Sequence, residues 1–297
     1  MSYLKINKHK YWDSMADTGF GDRIKTWSYA YEINKLNNFC FTILVDDFEW
    51  RETQYLNFPY TQSEKDINTD DCFEINSSKL DTSKNYLIDS NVGIDKSLIQ
   101  KITLKDKSLE TRIKNLVKDR IGIHIRHWPI LRDDKNHNST IERFNYTDKM
   151  KKLIEVLDKY NSKFYISSDV SYDKPPFLPC LPIFRKKGHW LSEIYEKYDI
   201  LDYRDIIQIN KNFPLAVNDN KNEKWIPIYD EELSLNDVKV LTKSENNFDV
   251  VNIDDIYNLK IKRDIVDLFS LIFSRKFIPS IETGIESSWS EFVENYR

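Results

Sequence analysis

Residues 120–127 read Arg-Ile-Gly-Ile-His-Ile-Arg-His, an alternation that is typical of a β-strand. Its isoleucines alternate with Gly122, His124 and Arg126, so the two sets lie on opposite faces of a predicted strand. Strands buried in a parallel sheet are apolar on both faces, and a histidine and an arginine near the end of one therefore need a reason. Open α/β sheets bind ligands at the carboxyl edge of their strands. The pattern predicts either a ligand site, where Arg126 gives a phosphate two parallel hydrogen bonds, or an internal ion pair.

The chain after this strand predicts a helix and then a second strand. Apolar residues recur at helical spacing over residues 147–160, where Met150, Leu153 and Leu157 share one face. The run Lys-Phe-Tyr-Ile-Ser-Ser-Asp at 163–169 is typical of a short buried strand. A strand, a helix and a strand in about fifty residues form a βαβ unit with a right-handed crossover.

The chain before this unit predicts a loop, a helix and a strand. A loop over 16–21 precedes a helix over 22–37, in which apolar residues from Ile24 to Leu36 lie near helical spacing. Residues 39–47 then form a buried-strand run.

The end of the chain repeats the alternation of helix and strand. Its pattern predicts a helix over 264–274, a strand over 276–281 and a closing helix over 287–296. The fold class is therefore α/β, in two halves. We place an N-terminal domain at 1–110 and a C-terminal domain at 111–297.

Residues 48–84 are polar, with scattered aromatic residues, and match no single period. Trp50, Tyr55, Phe58 and Tyr60 either pack in the core or stack on the sugar rings of a substrate. Core packing is the favoured interpretation.

Composition limits the classes of function. The net charge of −4 and the pI near 5.8 do not favour a nucleic-acid surface. No run approaches the roughly 18 apolar residues that span a bilayer, and residues 1–12 contain no apolar core of a signal peptide. Cys40, Cys72 and Cys180 are scattered and odd in number, which is typical of reduced thiols. We therefore expect a cytoplasmic protein with no membrane span.

Two segments outside the strand at 120–127 are candidate anion sites. Gly19 and Gly21 precede a helix, as in loops that approach a phosphate or a sugar; the alternative is a tight turn. Ser287 and Ser288 open the last helix, whose free N–H groups suit an anion; the alternative is ordinary capping.

Acidic residues occur in adjacent pairs, but the chain has no Asp-x-Asp triplet. Manganese-dependent glycosyltransferases normally hold their metal and diphosphate through such a triplet. We therefore expect neither a metal nor another cofactor.

Together these segments resemble the superfamily of α1,6- and protein O-fucosyltransferases. Residues 19–46 look like its first motif, a Gly-x-Gly-Asn-Arg-type loop, a helix and a strand ending in Val-Asp, with Asp22 in place of the usual Asn. Residues 122–127 look like its His-x-Arg motif, in the form closest to nodulation-type chitooligosaccharide fucosyltransferases. Residues 163–169 and 264–292 are similar to the strand and the third motif that follow.

The resemblance implies a GT-B fold, with two Rossmann-like domains facing across a cleft, and an inverting, metal-independent transfer of fucose from GDP-fucose to a glycan. Arg126 would bind the β-phosphate, and His124 and Asp267 would face the guanine or the ribose. Ser287 and Ser288 would hold the diphosphate. The nucleotide-sugar site that the matched motifs imply comprises Gly19, Phe20, Gly21, Arg23, His124, Arg126, Asp169, Asp267, Ser287 and Ser288.

Transfer also needs a base for the acceptor hydroxyl. Asp134 lies eight residues after Arg126, where the α1,6 enzymes keep a matched acid, and Asp133 and Asp17 are the reserves. Three alternatives stay open: the same fold with another donor, such as GDP-mannose or a deoxysugar nucleotide; a carbohydrate-binding protein without catalysis; and a Rossmann oxidoreductase. The oxidoreductase is the least favoured of the three, because the chain lacks the glycine-rich strand–helix turn of that class.

Overall fold

The computed structural model describes residues 2–6, 20–46, 50–64, 71–88, 96–125, 146–168, 192–207, 216–219, 224–227, 253–279 and 288–297. Its contacts divide the chain into two compact units. Unit 1 comprises Met1–Glu110 and Glu286–Arg297, and unit 2 comprises Thr111–Ile285.

Unit 1 contains a parallel sheet of five strands in the order β4-β2-β1-β6-β5. The strands are β1 (Tyr3–Ile6), β2 (Thr42–Asp46), β4 (Thr61–Glu64), β5 (Cys72–Glu74) and β6 (Asn85–Ile88). An antiparallel pair, β3 (Leu56–Asn57) and β7 (Thr103–Leu104), lies beside a short 3-10 helix, Arg51–Gln54.

Helix α1 (Phe20–Leu36) packs on β1 and β2. Its apolar face is buried through Ile24, Trp27 and Ala30, as the spacing predicts. Leu36 is instead 58% exposed, because the helix ends there and the chain turns away. The predicted strand at 39–47 is shorter than expected, since Phe39 lies in the turn after α1 and β2 begins at Thr42.

The other helices of unit 1 are α2 (Lys96–Ile99) and α8 (Ser288–Tyr296), and the first turn of α3 (Lys107–Val117) belongs to unit 1 while the rest of that helix belongs to unit 2. The sequence grouped α8 with the C-terminal domain, whereas the structure packs it on α1 and α2. The physical reason is its buried face, Phe292 and Val293, together with a bond of 3.0 Å from Tyr296 Oη to the Ile102 carbonyl.

Unit 2 contains a parallel sheet of four strands in the order β10-β9-β8-β13. The strands are β8 (Ile121–Ile125), β9 (Phe164–Ser168), β10 (Ile200–Leu201) and β13 (Lys276–Ile278). The helices are α4 (Tyr146–Tyr160), α5 (Ser192–Lys197), α6 (Tyr203–Ile206) and α7 (Ile253–Phe273), and β11 (Ala216–Asp219) pairs antiparallel with β12 (Lys224–Pro227).

The predicted βαβ unit is present as β8, α4 and β9, with β8 and β9 parallel neighbours. Every residue of β8 and of β9 is buried, as expected for central strands of a parallel sheet. Leu153 and Leu157 of α4 are buried too, so this helix supplies an apolar layer. The predicted α/β class, with parallel sheets, is confirmed.

Gly122 lets helix α7 approach strand β8 closely. A Cβ added at Gly122 would lie 2.7 Å from Ser274 Oγ and 3.1 Å from Leu271 Cδ2. Ser274 Oγ is itself held 2.7 Å from the Leu271 carbonyl, to which it can donate. The glycine is therefore required by the packing of the helix on the strand.

We expect Gly122→Ala to lower the free energy of unfolding by about 1–3 kcal/mol, the usual range for an overpacked core. Equilibrium unfolding in urea measures it. The double variant Gly122→Ala/Ser274→Ala removes the closest atom and should recover part of the loss relative to Ser274→Ala. No loss in the single variant would mean that α7 can move away from β8 without cost.

Among the helices in the described part of the chain, none combines the length and apolar character needed to cross a bilayer.

Candidate functional site

Three neighbouring strands of unit 2 end at one edge of their sheet. Ile125 of β8 is the register partner of Ser168 of β9, and Ile123 of β8 is the partner of Ile278 of β13. All three strands are parallel, so this is a common carboxyl edge. In open α/β sheets such edges carry the ligand site.

Polar side chains are buried just before this edge. His124 is the register partner of Ser167, and both are buried, as is Ser168. Paired residues of parallel strands project to the same face, and the Gly122 contacts show that α7 covers the face carrying His124. The polar end of the strands thus lies under α7.

Helix α7 contributes a carboxylate to the same layer. Asp267 is 1% exposed. Its Oδ1 accepts a hydrogen bond of 2.6 Å from Tyr165 Oη, and its Oδ2 lies 3.3 Å from Arg263 Nε, one helical turn away. Both carboxylate oxygens therefore have partners inside unit 2.

Burial raises the pKa of Asp267 to about 7, against the opposing effects of Arg263 and of the hydrogen bond from Tyr165. The nearby Asp264 and Asp202 raise this pKa further. Burial, followed by the neighbouring Asp267, also raises the pKa of the Tyr165 hydroxyl well above its ordinary value, so Tyr165 stays a proton donor.

Arg263 ties three elements together at the carboxyl edge. Its guanidinium donates to the Ser168 carbonyl at the end of β9 and lies 5.4 Å from the centre of the Tyr203 ring, at the start of α6. Asp202, fully buried, caps α6 by accepting a bond of 2.8 Å from the Arg204 amide. The cation–π contact and the carboxylates hold a charged layer inside the unit.

In unit 1, Arg23 follows the glycine segment on α1. It is buried and pairs with Glu52 of the 3-10 helix, which is buried as well. The two charges compensate each other away from water. This pair anchors the first turn of α1 to residues 51–54.

Several sequence-predicted site residues lie outside the described residues. They are Asp17, Gly19, Arg126, Asp133, Asp134, Asp169 and Ser287. Phe20, Gly21 and Ser288 are described in backbone only: Phe20 and Gly21 open α1, and Ser288 opens α8.

The described predicted residues fall into both units. His124 and Asp267 lie in the polar layer of unit 2, whereas Arg23 lies in unit 1. Ile125 of β8 and Ser168 of β9 are register partners. Arg126 and Asp169 are the next residues after them in the sequence. The contacts of all these residues with a nucleotide stay a prediction.

Sequence reasoning missed four buried members of these clusters: Arg263, Tyr165, Asp202 and Glu52. A signal existed for Arg263, which precedes Asp267 by four positions on one helix. Asp202 carries a capping-box pattern with Asp205. Tyr165 and Glu52 have no such signal, because their partners come from distant segments.

No protein-family model matches the chain, and no curated protein sequence does. Three solved structures are similar to it, each at 10% sequence identity. Fucosyltransferase NodZ from Bradyrhizobium has a TM-score of 0.48 over 99% of this chain and 93% of its own. NodZ alpha-1,6-fucosyltransferase co-crystallised with GDP has a TM-score of 0.47 over 99% and 92%. The same enzyme soaked with GDP-fucose has a TM-score of 0.45 over 100% and 93%.

Proposed function

We propose that this protein is an inverting, metal-independent glycosyltransferase of the GT-B class that moves fucose from GDP-fucose to a hydroxyl of a glycan. One observation carries the proposal: two charged residues, Arg126 and Asp169, directly follow register partners at the carboxyl edge of a parallel sheet. That edge is where open α/β sheets bind ligands.

The polar layer before the edge supports the same proposal. His124 and Asp267 are held by strand β8 and helix α7, and Tyr165 and Arg263 fix Asp267 in place. A site built on strands and helices is positioned more rigidly than one on loops alone. The resemblance of the sequence motifs implies that this region binds the nucleotide.

The chemistry is the breaking of a C–O bond to a diphosphate leaving group. Negative charge grows on the phosphate oxygens as the sugar ring becomes oxocarbenium-like. Arg126, with its planar fork of donors, would stabilise this charge in place of a metal. The acceptor oxygen attacks C1 from the face opposite the diphosphate, so the anomeric configuration inverts.

The proton of the acceptor hydroxyl passes to a carboxylate base. Asp134 is our first candidate for that base, and Asp133 and Asp17 are the reserves. Ser287 and Ser288 would hold the diphosphate, and the segment Gly19–Gly21 would contact the donor.

The release of GDP from GDP-fucose tests the function, with water or an added glycan as acceptor. Parallel reactions with GDP-mannose and with deoxysugar nucleotides test the donor. Preferred turnover of another donor would keep the class and change the sugar. No release from any donor, together with binding of glycans, would identify a carbohydrate-binding protein instead.

We expect turnover to persist in excess EDTA, because the chain has no Asp-x-Asp triplet and an arginine can carry the leaving-group charge. The rate of GDP release before and after chelation measures this. Complete loss on chelation, restored by manganese, would place the enzyme in the metal-dependent class.

A further inference from the structure

Unit 1 presents a stacked pair of aromatic rings that the proposed chemistry does not use. The rings of Phe39 and Tyr60 are 4.4 Å apart between centroids and inclined by 10°. Phe39 is 36% exposed and Tyr60 is 50% exposed. We call this pair the Phe39–Tyr60 platform.

Phe39 and Tyr60 both adopt a backbone conformation that is unfavourable for bulky residues. Phe39 has φ of 56° and Tyr60 has φ of 57°. This left-handed region suits glycine and asparagine, and bulky residues rarely adopt it. Such outliers persist when the surrounding structure determines them, and they cluster at functional sites.

The turn that carries Phe39 is locked by side-chain amides. Asn34 donates to the Phe41 carbonyl at 2.8 Å and accepts from the Phe41 amide at 3.0 Å. Asn37 accepts from the Leu80 amide at 2.9 Å. The ring of Phe39 is therefore presented by a rigid turn.

The turn that carries Tyr60 is locked as well. Its carbonyl accepts from the Ile43 amide at 2.8 Å, and the Trp27 indole donates to Thr61 Oγ1 at 2.9 Å. Beneath both rings lies Tyr31, edge-on at 5.5 Å from Phe39 and 5.9 Å from Tyr60. The platform is thus pre-organised on a buried aromatic support.

The size of the platform favours a sugar ring over a protein partner. An aromatic side chain offers 150–250 Å² in total, so two rings at these exposures present less than about 200 Å². A stable protein interface takes about 800 Å² from each partner. A pyranose ring, by contrast, lays its C–H groups against one face of one aromatic ring. Because the inner faces of Phe39 and Tyr60 cover each other, the sugar would stack on an outer face of the pair, and the Tyr60 hydroxyl adds a polar edge.

The platform follows the carboxyl end of α1, whereas the glycine segment precedes its amino end. Phe39 precedes β2 and Tyr60 precedes β4, so both are at the amino edge of their parallel sheet. The glycine segment leads into the other end of α1, a helix of 17 residues, which is about 25 Å long. The platform is therefore separate from that segment.

We propose that the Phe39–Tyr60 platform is a saccharide-binding site for a β-linked oligosaccharide of glucose configuration, whose equatorial substituents leave a flat apolar face. Binding itself does not depend on the proposed transferase activity, and only the identity of the glycan as acceptor rests on that function.

Calorimetric titration with cellotetraose tests the proposal, with the wild-type chain and the double variant Phe39→Gly/Tyr60→Gly, because removal of one ring alone would uncover the inner face of the other. Glycine removes each ring and accepts the left-handed φ, which offsets part of the packing lost on Tyr31. We expect the Kd for cellotetraose to rise at least tenfold in this variant, while the release of GDP from GDP-fucose is unchanged.

Phe73→Ala is the matched control, because Phe73 is an aromatic residue of the same unit, 51% exposed and outside the platform. It should bind cellotetraose as the wild type does. Absent binding by the wild type, equal binding by the double glycine variant or an equal loss in Phe73→Ala would overturn the proposal. So would a wild-type dimer that the double glycine variant converts to a monomer. Binding of cellotetraose without any GDP release would leave this site standing and reject the transferase.

Discussion

Replacing Arg126 by alanine is expected to lower kcat about 10²–10³-fold, or roughly 3–4 kcal/mol of transition-state stabilisation, by analogy with the loss of an oxyanion donor. The guanidinium would contact the β-phosphate, where charge develops as the bond to the sugar breaks. Arg126→Lys should restore only part of the rate, since an ammonium group offers a point charge and not a fork. Steady-state release of GDP measures both variants.

Arg120→Ala is the matched control for Arg126→Ala. Arg120 precedes the other end of β8 and bonds Asp199 at 2.7 Å and the Phe164 carbonyl at 3.1 Å. Its loss should lower the melting temperature and leave kcat unchanged, whereas Arg126→Ala should lower kcat and leave the melting temperature unchanged. A folded Arg126→Ala enzyme with near-normal kcat would contradict the proposed role of Arg126 in stabilising the leaving group.

The stability of the protein should depend on pH through the ionisation of Asp267. Its folded-state pKa is about 7 against an ordinary value of 3.8, because burial favours the neutral form. Between these values the folded state binds a proton that the unfolded state has released, so stability falls as the pH rises and levels off above about pH 7. The difference between the two pKa values corresponds to about 4 kcal/mol.

Asp267→Asn removes this titration, so the variant should gain about 4 kcal/mol relative to the wild type between pH 4 and pH 8. Urea unfolding at several pH values measures the two profiles. Asp264→Asn, on the same helix but partly exposed, should retain a pH-dependent slope because Asp267 remains, and the slope should level off at a lower pH because Asp264 contributes to the raised pKa of Asp267. Parallel profiles for the wild type and Asp267→Asn would mean that Arg263 keeps Asp267 ionised throughout.

The periodic parts of the fold were predictable from the sequence. The spacing in α1 and α4 and the apolar runs of β8 and β9 reflect burial on one or both faces, which local pattern records directly. The region 48–84 was not predictable, because its strands are short. Strand β5 spans only Cys72–Glu74, and every residue of β4 is polar.

Tertiary packing overrides local pattern at particular residues. Trp50 and Phe58 are buried, in agreement with the core interpretation, but Tyr60, from the same cluster, is half-exposed. The position of α8 in unit 1 depends on contacts with α1 and α2, which lie far away in sequence. Neither the exposure of Tyr60 nor the position of α8 could be predicted from the neighbouring sequence.

Prediction of the candidate site was likewise limited to features that the local sequence pattern records. The alternation in β8 placed His124 at the carboxyl edge, and the structure has it there. The partners of Asp267 could not be predicted together, because Tyr165 is about one hundred positions away and only the pairing of β8 with β9 and the packing of α7 bring it near.

Isothermal titration of the purified chain with GDP and with UDP tests whether the protein recognises a guanine nucleotide. We expect GDP to bind at least about tenfold more tightly than UDP, a difference of about 1.4 kcal/mol, without added metal. Binding of UDP as tight as or tighter than that of GDP would contradict it.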